Sequence, residues 1–243
     1  MENLKRIFAI YKKEMILSTN TALGYIFIIL FMFVENLLFF YGIGGNSFWD
    51  RKTSDLNHFF TISPLILLLF VSAISMRTWS EEKDSGTWEI LLTLPFLEYE
   101  IVLGKYLAAC TNVLFALFST IMIPLTTIVF GYPDFGVIFS GYIGLLLVGL
   151  SFVSVTFFIS LFANSQIGSF LLSFFSLSFL FFIGIQKLID LMGRNYSEWI
   201  GIFSISKHFE SFRMGILDPR DFYFFISFCG LFLALTILNL RTK

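Results

Sequence analysis

Charge is what this chain lacks most. Only 14% of its 243 residues are Asp, Glu, Lys or Arg, while 57% are hydrophobic and the mean hydropathy is +0.84. A soluble domain of this length needs far more charge to cover its surface. The formal net charge of −1 brings no basic stripe with it, so no nucleic-acid partner is expected. Cysteine is equally scarce. Cys110 and Cys229 both fall inside apolar runs and read as small buried hydrophobes, not as a disulfide or metal pair. There is no G-x-x-x-x-G-K-[ST] loop: Gly104-Lys105 lacks the upstream glycine and the Ser or Thr that would bind Mg²⁺. With only two histidines and no H-E-x-x-H, His58, His208 and Ser151 are weak material for an intramembrane hydrolase.

Long uncharged runs stand in place of charge. They cover Leu56 to Met76, Tyr106 to Pro133, Phe135 to Gln186 and Phe222 to Leu240. A spanning helix needs roughly 20 apolar residues, so the third run must hold two spans. The expectation is an all-α integral membrane protein with six transmembrane helices, forming one domain over 1–243. The spans are placed at about Thr21–Tyr41, Asn57–Met76, from after Lys105 to about Phe130, Val137–Leu161, a fifth ending near Gln186, and Phe222–Leu240. "FANSQIGS" supplies the turn-forming residues between the fourth and fifth. Residues 1–20 read as an amphipathic interfacial helix, with Leu4, Ile7, Phe8, Tyr11 and Met15 on one face and Lys5, Arg6, Lys12 and Lys13 away from it. An even number of spans puts both termini on one side. Nine Lys and Arg on that side against seven on the other lean toward a cytoplasmic location for it.

Residues 77–105 interrupt the pattern. Glu81, Glu82, Lys83 and Asp84 cannot lie in the bilayer, where a central charge costs roughly 2.5–3.5 kcal/mol. Gly86 offers flexible backbone and Thr87 an N-cap, and Glu89 suits the positive end of a helix dipole. Trp88, Leu91 and Leu92 share a face, and Pro95 stops the helix. Such a helix of about two turns is too short to stand alone in water. It is expected to rest on the membrane or on another protein.

Several of these residues carry a family resemblance. "EEKDSGTWEILLTLP" followed by "EIVLGKYLA" resembles the cytoplasmic segment of ABC-2-type permeases through Glu82, Gly86, Thr87, Glu89, Leu91, Leu92, Pro95, Gly104 and Lys105. "GYIGLLLVGLSF", "ISLFANSQI" and "HFESFRMGILDPRDFYFFIS" resemble the gliding-motility-type branch of that family, with Met214 where a basic residue is expected. The resemblance implies a membrane subunit of an ATP-driven transporter, an exporter in the cell membrane, whose strip is a coupling helix. It implies two copies of a cytoplasmic ATPase that bind ATP and Mg, and a second permease copy or paralogue. No cofactor is expected on this chain. A non-transporting scaffold is the alternative.

Outside the strip, Glu35 is the one ionisable group deep in an apolar run. It reads either as a substrate-path or proton-linked acid, or as a group neutralised or hydrogen-bonded to a neighbouring helix. Ser165, Ser169, Ser173 and Ser176 form one stripe on the fifth span, for packing, a dimer seam or a polar pathway wall. Pro64 and Pro124 are expected to kink their spans. The loop 187–221, with Trp199, Phe203, Phe209 and Phe212, is expected to form an outer helical segment.

Overall fold

The computed structural model describes residues 2–42, 47–51, 54–88, 96–184 and 203–241. Among them every regular element is a helix. In chain order they are α1 (Glu2–Asn20), α2 (Ala22–Phe40), α3 (Phe48–Arg51), α4 (Asn57–Ser75), α5 (Arg77–Asp84) and α6 (Glu98–Ser119). Then follow α7 (Met122–Phe130), α8 (Phe135–Ser160), α9 (Gln166–Phe182), α10 (Ile205–Arg213) and α11 (Pro219–Arg241).

The central element is α8, which packs on α4, α6, α9, α10 and α11. Its small residues explain how one helix holds so many neighbours. A Cβ on Gly141 would sit 2.3 Å from the Phe60 ring of α4, and one on Gly149 would sit 2.6 Å from Val113 of α6. A Cβ on Gly144 would sit 2.6 Å from Phe212 of α10. Each missing methyl admits a different helix, because close backbone approach is what holds membrane helices together. Gly144→Val is therefore expected to cost about 1–3 kcal/mol by overpacking, read as a lowered unfolding midpoint in detergent. Gly230, with nothing within 4 Å of its would-be Cβ, is the matched control.

Large apolar side chains also cover the outside: Ile29 and Phe33 on α2, Leu114 and Phe118 on α6, Ile226 and Leu238 on α11 are all exposed. In water such a surface would aggregate; against lipid it is the solvated face. Among the described residues four helical stretches are long and apolar enough to cross a bilayer: Asn57–Asp84, Glu98–Phe130, Phe135–Ser160 and Pro219–Arg241. Asn3–Asn20 and Gly24–Phe40, bent by 69°, make a fifth if taken as one span. The remaining expected span is α9. Its 17 residues reach roughly 26 Å, short of a hydrocarbon core of about 30 Å.

Two expectations change in detail. The third span is broken at Thr120–Ile121, ahead of Pro124, where α6 gives way to α7. The Tyr142 hydroxyl donates to Thr120 O (3.2 Å), an acceptor that Pro124 with no N–H cannot serve. The helix α1 does not simply float at an interface. It runs along α6, with Asn3 donating to the Tyr99 hydroxyl, Tyr11 bonded to Thr111, and Ser18 donating to Asn112. Its expected apolar face is divided: Leu4 and Phe8 are exposed, while Ile7 lies beside Gly104.

Candidate functional site

The described part of the polar strip begins in α5, which continues the line of α4 past Met76. Glu81–Asp84 form the last turn of α5, with Arg77 forking onto Glu81 one turn away (3.0 and 2.6 Å). Gly86 then ends that helix. Its φ is +70°, a left-handed conformation that L side chains resist, and its N–H donates to Lys83 O. The Thr87 hydroxyl bonds Ser85 (2.8 Å) and lies 3.4 Å from Glu82 O. Gly86 thus closes the helix before it, and Thr87, the expected N-cap, stands directly before the helical Trp88.

Three side chains bolt α5 to the bundle. Trp79 is fully buried; its indole N–H donates to Phe157 O (3.1 Å), and its ring meets Phe157 and Trp88 edge-on. Lys83 donates to Leu161 O (2.7 Å) and Ala163 O (2.8 Å), carbonyls left over at the C-terminal end of α8. Glu82 turns inward, and its Oε1 lies 2.8 Å from the Lys105 ammonium of α6.

Lys105 is the centre of this node. Only 4% exposed, it pairs with Glu82, pairs with Glu14 of α1 (3.3 Å), donates to Thr78 O (3.0 Å) and sits 5.2 Å from the Trp79 ring centroid. A buried ammonium has three N–H groups to satisfy, and these oxygens come from two helices, α1 and α5, so that Lys105 of α6 ties three helices together. Next to it, Gly104 lets α1 approach: a Cβ there would lie 2.7 Å from Ile10. The Gly-Lys pair is therefore a docking point for α1. At the start of α6, Glu100 accepts from the Leu97 N–H (2.9 Å) and faces Arg6 of α1 at 3.9 Å.

The other sequence-derived residues fall as follows. Trp88 is half-buried against Trp79, with Lys83 5.5 Å from its ring centroid. Glu89, Leu91, Leu92 and Pro95 lie outside the described residues, as does Trp199. Glu35 is buried between α2 and α4, where Ser63 donates to its Oε2 (3.0 Å); its Oε1 has no partner among the described residues. Ser165 is exposed and caps α9, accepting from Gly168 N. Ser169 and Ser173 are fully buried within this one chain, and Ser176 is half-buried. Burial inside the subunit leaves Ser169 and Ser173 facing neighbouring helices of the same chain. Ser151 bonds Leu147 O and Cys229, and neither histidine is its partner.

At the opposite end, α10 forms a lid on α8. Ser140 donates to Phe212 O (2.8 Å), and Arg213 donates to Thr61 of α4 (2.9 Å). His208 pairs with Asp221 of α11 at 2.6 Å.

The node partners Glu14 and Trp79 were not singled out by sequence reasoning. A signal existed for one member. Lys105 is the last charge before 28 uncharged residues, and a charge at that depth requires a partner.

Among the described residues, a helical bundle with an apolar outer surface and a buried ion cluster at one end defines an integral membrane protein of several spans. The particular family follows from comparison. The model described as ABC-2 family transporter protein matches residues 16–181, more than half of the chain, and the chain belongs to that family. It is a multi-pass membrane permease subunit of an ABC transporter, a class whose ATPase is a separate chain. None of the curated proteins matches it.

Proposed function

We propose that the strip at 81–96 receives the power stroke. The observation that carries this reading is the anchoring of its base: α5 is tied to α1 and α6 through Lys105, and to α8 through Trp79 and Lys83. A force applied near Trp88 is then delivered to four helices at once, which is what a coupling element must do. In this reading Glu89, Leu91, Leu92 and Pro95 form the short helix that docks on a cytoplasmic ATPase, with Gly86, Thr87 and Trp88 as its hinge. Two ATPase copies bind ATP and Mg, and a second permease copy or paralogue completes the complex. Six spans with both termini in the cytoplasm then alternate between inward-facing and outward-facing states, and the transport direction is export. The three motif segments favour the gliding-motility-type branch, although the last of them lies beyond the matched region.

Co-purification with the ATPase tests this. Gly86→Ala forces an L side chain into the left-handed region, at about 1–2 kcal/mol. It is expected to lower ATP turnover of the complex by roughly fivefold or more while the chain stays folded. Glu89→Ala is expected to weaken ATPase retention. If both variants bind and turn over like the wild type, the strip is not the input, and the scaffold reading gains.

A further inference from the structure

The bundle uses one face of α1 and leaves the other over. Inward, Ile10 seats on Gly104, Glu14 reaches Lys105, and Tyr11 and Ser18 bond α6. Outward, Leu4, Phe8, Lys12 and Ile16 follow one another at four-residue spacing, and all four are exposed. Leu4 and Phe8 are 74% and 62% exposed, high values for such large apolar side chains.

The same face carries positive charge. Lys5, seven residues before Lys12, is exposed beside it, and Lys13 is exposed at its edge. Lys5 and Lys12 have no ion-pair partner among the described residues. The contacts of Lys13 with Glu14 and Glu82, 3.7 and 4.0 Å, are longer than hydrogen bonds. All three ammonium groups are therefore open to an anionic oxygen.

The row also sits at a definite level. Lys13 lies 4.0 Å from Glu82, and Arg6 lies 3.9 Å from Glu100, at the end of the bundle where the charged strip leaves the apolar spans. Water alone would leave Leu4 and Phe8 unsatisfied, and hydrocarbon alone would strand the lysines. The headgroup layer satisfies both, with phosphate for the cations and acyl chains for the apolar side chains. A protein partner would have to bring an acidic row and an apolar seat together. The bilayer, which already meets the exposed apolar faces of α2 and α6, brings both.

We propose that this face of α1 is a docking surface for anionic phospholipid. Lys5, Lys12 and Lys13 meet the headgroups, while Leu4, Phe8 and Ile16 sit among the upper methylenes. Through Glu14 the bound lipid also steadies α1 on the Lys105 node. The proposal does not rest on the coupling reading, because binding is measured on the permease alone.

The test is native mass spectrometry of the full chain in detergent, titrated with phosphatidylglycerol and with phosphatidylcholine of identical acyl chains. Each lysine near an anionic surface contributes roughly fivefold. Phosphatidylglycerol is therefore expected to bind roughly twentyfold more tightly. Lys5→Gln combined with Lys12→Gln is expected to cut that preference to about fivefold or below, since Lys13 alone remains. Arg220→Gln, which removes an exposed charge at the start of α11, is expected to leave it unchanged. Free glycerophosphoglycerol, which lacks the chains, is expected not to displace the lipid at equal concentration. Equal binding of the two lipids by the wild type overturns the proposal, as does an unchanged preference in the double variant. Displacement by the free headgroup overturns the lipid assignment. Loss of the ATPase from the double variant, with its lipid preference intact, would give this face to a protein and also overturn the proposal.

Discussion

Trp79→Ala is expected to destabilise the protein by about 3–5 kcal/mol, the usual cost of truncating a fully buried aromatic. The indole has no exposed surface and is the wedge between α5 and α8, with Phe157 on one side, Trp88 on another and Lys105 near its face. Alanine leaves a void that α5 cannot fill without sliding, because Lys83 and Lys105 hold it on both sides. Trp79→Phe keeps most of the ring and loses the bond to Phe157 O, so about 0.5–1.5 kcal/mol is expected. Denaturant unfolding in detergent measures both. Hydrogen exchange across 77–88 should rise in the alanine variant well before global unfolding. Equal stability of the two variants would show that packing around Trp79 is not what fixes the strip.

The second large effect is at Lys105. Lys105→Met keeps the shape of the stem but leaves Glu14 and Glu82, whose side chains are 20% and 13% exposed, without the ammonium between them. Breaking a buried pair by removing one member costs about 3–5 kcal/mol; partial access of water to Glu14 puts the expectation near the lower end. Removing all three charges together, as Lys105→Met with Glu14→Gln and Glu82→Gln, is expected to return most of that loss, since no uncompensated buried charge remains. The exchanged pair Lys105→Glu and Glu82→Lys should do better than either single reversal. Thermal unfolding of the series decides: a single Lys105→Met variant as stable as the wild type would mean the cluster is decorative.

These two residues also show what kind of information each level holds. The span boundaries at α4, α8 and α11 could be read from the chain because a bilayer converts charge-free length directly into helix. The cost of Glu81 to Asp84 in hydrocarbon likewise put the strip outside it without any contact being known. The α9 segment was legible in position but not in length, since the apolar run continues past the point where the helix stops. Gly86 was legible as flexible backbone, but a glycine beside a threonine does not say which helix it ends, and only the folded backbone, with φ of +70°, shows that it closes α5.

By itself the sequence determined that this is a helical membrane protein, roughly where its spans lie, and that one polar strip stands apart from them. Those conclusions rest on local properties: the transfer cost of each residue and the spacing of apolar runs. Only the tertiary structure decided that Glu82 faces Lys105, that Gly104 is the seat of Ile10, and that Glu35 is tied to Ser63. Pairings between residues 23 to 94 positions apart depend on how helices rotate and tilt against one another. That rotation is set by packing at glycines such as Gly141, Gly144 and Gly149, a property no single segment carries.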